Sequence, residues 1–248
     1  MTRRNIINLV LLVSIFSLLS INVCAQSTDR GQVEKEFKAL SEKLDAKFKE
    51  LLAVSAEDRA AYADFLKQPE SGIFRLMPRE KFDFKGTTMR GGGAYYSFTK
   101  LKHEYGYGSD IELEQDRFSV GFAGLDFGMI VSLGDVPIEN VTLEHAGVPF
   151  LVAYAAPTVE AEIREQQNRV GVGFKADDFN YKGYQPAVVN TTYALRSISY
   201  GSNNGTDVLV ALRPVRKDSD GSMIVLWKML KKFPAPQWKR NQTAQTVK

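Results

Sequence analysis

The feature that most constrains the fold is a long series of short, strand-like runs separated by turn signals. From Ile73 onward, apolar and β-branched residues occur in runs interrupted by glycine, aspartate, asparagine and proline. These runs lie at 81–89, 94–99, 110–114, 117–122, 127–133, 141–144 and 148–154. Short strands with turns at this spacing are typical of an antiparallel sandwich or barrel, because hairpins need only short loops. We therefore predict a mostly antiparallel β domain over residues 71–238.

The last third of the chain predicts a three-strand meander. Runs at 190–200, 207–215 and 223–231 are joined by turns that contain Asn204-Gly205 and Asp220-Gly221, which are strong hairpin signals between apolar runs. Before the meander, the polar segment 159–169 predicts a short helix or a strand crossing. The aromatic segment 170–186 predicts a partly irregular excursion on the surface. Residues 239–248 form a polar tail.

Two helices are predicted ahead of this β domain, as a helical hairpin over residues 26–70. In the first, over 29–54, six apolar residues recur every three or four positions, which is the helical period. They are Val33, Phe37, Leu40, Leu44, Phe48 and Leu51. The second begins at Ser55, a residue type that caps helix N-termini, and ends at Pro69 and Gly72. The predicted fold class is therefore α+β.

The apolar stripe of the first helix leaves two readings open. The stripe is narrow and close to a heptad pattern, which allows self-association of the chain through this helix. It extends over only about three heptads, which is too short to establish a coiled coil. The other reading is a helix docked on its own domain.

The first 25 residues have the layout of a cleaved secretory signal. Arg3 and Arg4 precede an apolar stretch at 9–19, and the small residues of Val23-Cys24-Ala25 stand before Gln26. An uncleaved anchor and a lipid-modified Cys24 are the alternatives. We expect cleavage after Ala25 and a secreted or periplasmic protein.

Removal of this signal changes the composition in two ways. The chain has 32 Lys plus Arg against 29 Asp plus Glu, so the loss of two arginines leaves it almost neutral. No basic patch for a nucleic acid is indicated. The only cysteine is also lost, which excludes disulfides, a cysteine nucleophile and thiolate metal sites from the mature chain.

Two segments rich in glycine and aromatic residues are the candidates for ligand binding. The first spans Gly91 to Gly108 and is followed by an acidic strand at 110–114; the second spans Phe174 to Tyr184. Tyrosines beside glycines, with carboxylates nearby, form a shallow stacking surface for a carbohydrate or a small apolar ligand; a hairpin that covers the core is the alternative. The predicted contacts are Tyr95, Tyr105, Tyr107, Asp110, Glu112, Tyr181 and Tyr184.

Catalytic motifs are mostly missing from the sequence. A serine hydrolase needs a histidine base, and the chain has only His103 and His145, with no Gly-x-Ser-x-Gly motif. No pattern predicts a metal site or a cofactor. A carboxylate-based hydrolase of extracellular polymers stays open as an alternative, because it needs only two acids such as Glu112 and Glu114 facing a cleft. We expect a non-enzymatic binding or envelope-associated protein, and a structural protein that oligomerises through the first helix is the third reading.

Overall fold

The computed structural model describes residues 29–82, 93–103, 106, 108–121, 123–201 and 205–238. The predicted signal at 1–25, the tail at 239–248, most of the strand predicted at 81–89, and Tyr105 and Tyr107 lie outside these residues. The chain divides into two compact units, 1–47 and 48–248. Among the helices of the described ranges, none combines the length and the apolar character that a membrane crossing requires.

Six α-helices and eleven strands make up the described part of the chain. The helices are α1 (Arg30–Leu51), α2 (Ala56–Ala61), α3 (Ala63–Leu66), α4 (Arg79–Phe82), α5 (Pro149–Ala153) and α6 (Glu160–Val172). The first eight strands are β1 (Ser71–Leu76), β2 (Tyr95–Tyr96), β3 (Ile111–Glu114), β4 (Arg117–Ser119), β5 (Phe127–Gly134), β6 (Phe174–Ala176), β7 (Phe179–Tyr181) and β8 (Tyr184–Pro186). The last three are β9 (Thr192–Ser199), β10 (Thr206–Lys217) and β11 (Met223–Phe233).

The predicted α+β fold with mostly antiparallel sheets is confirmed. A five-stranded sheet has the order β1-β11-β10-β9-β5, and a four-stranded sheet has the order β2-β3-β4-β8. The strands β6 and β7 pair with each other. Neighbouring strands in the described ranges pair antiparallel, and neither of the two larger sheets closes into a barrel there. Of the two architectures named from the sequence, the structure has the sandwich.

The five-stranded sheet is the middle layer of the larger unit. Successive side chains of a strand point to opposite faces, so β9 sends Tyr193 and Leu195 into one apolar cluster and Ala194 and Ile198 into another. The first cluster lies between the two large sheets, where Phe118 of β4 packs against Tyr193. The second lies between the five-stranded sheet and a layer that includes α5, α6 and the β6–β7 hairpin. Strand β9 is buried at all eight positions as a result.

The meander predicted in the last third is present as β9, β10 and β11, which pair in sequence order. The turn residues predicted the position of this meander correctly, because each hairpin joins strands that are neighbours in the sequence. Around residue 150 the structure differs from the prediction. The run 148–154 is the helix α5, with Pro149 in its first turn, and 141–144 contains no strand. A short apolar run does not distinguish a buried strand from a buried helix. The strand predicted for 148–154 was therefore wrong.

Two segments that the sequence left open have regular structure. The segment 159–169 is helical from Glu160 onward as part of α6, whose buried residues are Ile163 and Val170. The segment expected to be partly irregular, 170–186, contains the β6–β7 hairpin and β8. In the hairpin, Asp177 and Asp178 both have positive φ, the conformation that two-residue hairpin turns favour.

The helices near the N-terminus follow their sequence signals. Helix α1 covers Arg30–Leu51, and none of its residues is buried. Ser55 caps α2, because its hydroxyl oxygen accepts a hydrogen bond from the backbone N–H of Asp58 at 3.0 Å. Phe65 of α3 joins the core of the larger unit.

Candidate functional site

An open hollow of about 310 Å³ lies between β4, β8 and α6 of the larger unit. Its volume is at the lower limit of the range usual for small-molecule sites. We call it the Tyr184 hollow. Its lining residues are Arg117, Ser119, Val120, Gly121, Asp126, Phe127, Gln167, Val170, Gly171, Gly183 and Tyr184.

Backbone hydrogen bonds hold the walls of the Tyr184 hollow together. Ser119 of β4 pairs with Tyr184 of β8, and the N–H of Val120 donates to the carbonyl oxygen of Gly183 at 2.9 Å. The N–H of Gly183 donates in turn to the carbonyl oxygen of Val170, near the end of α6, at 2.8 Å. The sheet edge and the helix are therefore joined directly, so the hollow has a fixed backbone frame.

Tyr184 supplies an aromatic ring at the rim. Its side chain is 37% exposed, which places it among the exposed large hydrophobic residues. The guanidinium carbon of Arg117 lies 5.3 Å from the ring centroid, and the amine of Lys182 lies 5.6 Å from it. Both distances are within the range of cation–π attraction. The hollow therefore combines a partly exposed ring with positive charge.

Two polar residues that line the hollow, Asp126 and Gln167, are hydrogen-bonded within the protein. The carboxylate of Asp126 accepts hydrogen bonds from the backbone N–H of Tyr200 at 2.8 Å and the hydroxyl of Ser199 at 3.0 Å. Burial raises the pKa of Asp126, and these two hydrogen bonds oppose the rise. The amide of Gln167 donates to the carbonyl oxygens of Asp126 at 3.0 Å and Gly124 at 3.1 Å. Asp126 therefore ties β9 to the loop before β5.

Close approach of the backbone shapes the hollow at Gly121. Its φ is +80°, and a Cβ added there would lie 2.4 Å from the Cα of Phe127. Only glycine tolerates both conditions.

Of the five predicted contact residues that the structure describes, Tyr184 is the one that lines the hollow. Tyr181 is completely buried, and its hydroxyl donates to the carbonyl oxygen of Gly147 at 2.9 Å, with the ring of Phe150 at 4.6 Å. Tyr95 is 2% exposed. The expectation that these two rings face solvent is therefore corrected, because their side of each strand is covered by other parts of the fold. Tyr105 and Tyr107 lie outside the described residues.

Asp110 lies in the interior of the sandwich and is completely buried. One carboxylate oxygen accepts a hydrogen bond from the backbone N–H of Phe98 at 2.7 Å. Burial raises the pKa of Asp110 to about 6, and hydrogen bonds from Ser197, Phe98 and Ser97 oppose the rise. An acid enclosed in this way has no open path to a ligand.

Glu112 and Glu114 share one guanidinium group. Nη1 of Arg79 lies 3.1 Å from Oε1 of Glu112 and 3.3 Å from Oε1 of Glu114. Burial raises the pKa of Glu112, while hydrogen bonding from Tyr95 and the charge of Arg79 lower it. These contacts form an ion-pair network that holds α4 against β3. The hydrolase reading stays a prediction, and the shared arginine weighs against it because both carboxylates are engaged in ion pairs with it.

His103 is held by the fold and does not suggest a catalytic base. The ring of His103 contacts the carbonyl oxygen of Arg75 at 2.6 Å, and burial lowers its pKa. It packs edge-on against Tyr96, with centroids 5.4 Å apart. In the part of the chain that the structure describes, no group of three His, Cys, Asp or Glu side chains could hold a metal ion.

The comparisons with known proteins identify no relative: no family model, no curated protein and no solved structure matches this chain. Its function is therefore argued from its own residues.

The sequence did not indicate Arg117 and Gln167, which line the hollow, or Lys182, whose amine lies near the ring of Tyr184. They come from β4, α6 and the turn before β8, and they are separated by up to 65 positions along the chain. Nothing in the local sequence of Arg117 or Gln167 differs from an ordinary solvated strand or helix. The only available signal was Lys182-Gly183-Tyr184, where a glycine stands beside a tyrosine.

Proposed function

We propose that the protein is an exported, non-enzymatic binding protein that takes a carbohydrate in the Tyr184 hollow. The single observation that carries the proposal is the partly exposed ring of Tyr184 at the rim of a hollow of about 310 Å³ with polar walls. The sequence of the first 25 residues supports export.

The composition of the walls favours a sugar over an apolar ligand. A sugar ring has an apolar C–H face, which packs on an aromatic ring, and hydroxyl groups at its edge, which require hydrogen-bonding partners. The hollow supplies the ring of Tyr184, the guanidinium of Arg117 and the hydroxyl of Ser119. A purely apolar ligand would displace water from these polar groups without replacing its hydrogen bonds, which costs free energy.

Two further features fit binding better than hydrolysis. Both carboxylate oxygens of Asp126 already accept hydrogen bonds, so this acid serves the wall of the hollow. The backbone frame joins β8 to α6 directly, which holds the hollow open in one shape. A preformed site loses less conformational entropy when a ligand binds.

The proposal is tested by titrating the protein with neutral, acidic and amino sugars, from monosaccharides to short oligosaccharides, while recording ¹H–¹⁵N spectra. We expect shifts confined to the residues of the hollow. Tyr184→Ala should weaken binding about tenfold, because the stacking surface is lost, whereas Tyr184→Phe should retain most of it.

Val188→Ala is the matched control, because Val188 is 51% exposed and does not line the hollow. It should leave the affinity unchanged. Thermal melting of each variant separates loss of binding from loss of folding. The proposal fails if no sugar shifts the resonances of the hollow, or if Tyr184→Ala binds as tightly as the unmodified protein.

A further inference from the structure

Helix α1 carries an exposed apolar stripe with a specific arrangement of charges. Val33, Phe37, Leu40 and Leu44 are 47%, 70%, 65% and 38% exposed. Their spacings of four, three and four residues correspond to the a and d positions of a heptad, with Phe37 and Leu44 at a. Glu36 and Lys43 then occupy the two g positions beside the stripe, and both are exposed.

We propose that this stripe binds the same stripe of a second copy of the chain, with the two helices antiparallel. In that arrangement an a residue faces a d residue of the partner. Phe37 then packs on Leu40, and Val33 packs on Leu44, each twice about a two-fold axis. Residues at g positions face each other across such a pair, so Glu36 of each helix meets Lys43 of the other.

Charge complementarity selects the antiparallel orientation. In a parallel pair, each g residue faces the e residue five positions further along the partner helix. Glu36 would then face Ser41, and Lys43 would face Phe48, so neither charge would gain an opposite charge. The antiparallel pair gains two Glu–Lys contacts.

The same charges fix the register. Sliding the antiparallel helices by one heptad in one direction would place Lys43 against Lys43, and sliding them in the other would place Glu36 against Glu36. Like charges in facing positions repel each other, so both slips are disfavoured. In the chosen register Arg30 faces Lys47, a like-charge pair that opposes contact at both ends and confines the apolar contact to the four central layers. The intrahelical hydrogen bond from Gln32 to Glu36, at 3.1 Å on the exposed surface, leaves other oxygen lone pairs of Glu36 available.

The pairing is closed, because a two-fold axis uses the same surface of both copies. The two-fold pairing therefore predicts dimers and not filaments. The contact consists of only four apolar layers, and short helices gain little stability alone. We expect a reversible dimer whose fraction rises with concentration over about two decades, as mass action requires.

The test uses charge reversal with the chain that begins at Gln26. Glu36→Lys and Lys43→Glu each turn both Glu–Lys contacts into repulsive ones, so each variant alone should dimerise about tenfold more weakly. An equimolar mixture of the two variants should recover dimerisation, because every facing pair in the mixed dimer is again opposite in charge. Sedimentation velocity over a concentration series measures each dissociation constant.

Glu42→Lys and Lys49→Glu are the matched controls, because they make the same charge changes at exposed positions on the opposite side of the helix from the stripe. Both should dimerise like the unmodified chain. Phe37→Ala/Leu40→Ala should abolish the dimer, and far-UV circular dichroism checks that every variant folds. The proposal is overturned if the chain stays monomeric at all concentrations, if the stripe binds lipid vesicles in place of a second copy, or if the mixed variants do not recover dimerisation.

Discussion

At the scale of single residues, Asp110 is the most unusual group of the interior. It is fully buried, and its Oδ1 has no hydrogen-bond partner among the described residues. Burial of a carboxylate favours the protonated form, which raises the pKa to about 6. The native protein therefore holds this proton more tightly than the unfolded chain does.

This difference predicts a pH dependence of stability with a definite sign. The contribution of Asp110 is fully present below its unfolded pKa of about 4, and it is lost as pH rises through about 6. The loss amounts to about 3 kcal/mol of unfolding free energy, because each pKa unit corresponds to about 1.4 kcal/mol. Urea unfolding at a series of pH values measures it.

Asp110→Asn supplies the control for this measurement. The amide stays neutral, so the variant should lack the part of the fall in stability between about pH 4 and pH 7 that Asp110 causes. Glu112, Asp126 and His103 also have shifted pKa values. Because the variant retains all three, their contributions cancel when its pH profile is subtracted from that of the unmodified protein. Equal pH profiles for the two proteins would rule out Asp110 as the cause.

A buried ion pair connects the middle sheet to the α5 region. The guanidinium of Arg196 binds both carboxylate oxygens of Asp207, at 2.8 and 2.7 Å, and donates to the carbonyl oxygens of Leu151 and Tyr154. It also lies 3.7 Å from the ring centroid of Phe233. These contacts replace the water that both ions lose on burial.

Removing one partner of this pair should be costly. Arg196→Met leaves Asp207 buried without its counter-ion, and we expect a loss of about 3–5 kcal/mol in the free energy of unfolding. Arg196→Met/Asp207→Leu should cost less than the single change, because no unpaired charge remains. Chemical denaturation measures both. A double variant that is less stable than the single one would contradict this account.

At the scale of elements, two glycines that line the same hollow predict opposite effects. Gly121 stands in a loop with φ of +80° and no room for a Cβ, whereas Gly171 lies in α6 with open space around its Cβ position. Gly121→Ala should destabilise the protein by about 2 kcal/mol, since it meets both backbone strain and a clash with Phe127. Gly171→Ala should stabilise it by about 0.5–1 kcal/mol through helix propensity.

Thermal denaturation of these two variants checks both signs at once. Each adds one methyl group to the wall of the Tyr184 hollow, so any difference in stability arises from the backbone and not from the hollow. Two variants that change stability in the same direction would show that the frame between β4, β5 and α6 is more adaptable than its hydrogen bonds indicate.

At the scale of the whole molecule, the larger unit is built in layers around the five-stranded sheet. Strands β9 and β10 lie inside this sheet, with a strand on each side and apolar clusters on both faces. Strands β2 and β8 lie at the edges of the four-stranded sheet. Opening of an edge exposes little apolar surface, while opening of the middle layer exposes both clusters.

Native-state hydrogen exchange should reflect this arrangement. We expect the amides of Ala194, Leu195 and Val210 to exchange only through global unfolding, and Tyr184 and its neighbours in β8 to exchange faster by local opening. The layered account would fail if β8 were protected as strongly as β9.

Local signals explain how much of the fold was predictable. Asn-Gly and Asp-Gly turns located the meander, because a hairpin is decided within a few residues. The period of α1 and the cap at Ser55 were read correctly for the same reason. The segment at 148–154 was not, since its burial beside the middle sheet, and not its composition, favours a helix there.

The sequence by itself determined the antiparallel class, the positions of the local hairpins and the first helix, because alternation, turn residues and helical period act over short distances. It could not determine which tyrosines face solvent. Tyr181 and Tyr184 are three residues apart with glycine between them, yet one is in the core and the other stands at the rim of the hollow. Only the packing of α6 and β4 against this turn decided that, because burial depends on what distant segments cover.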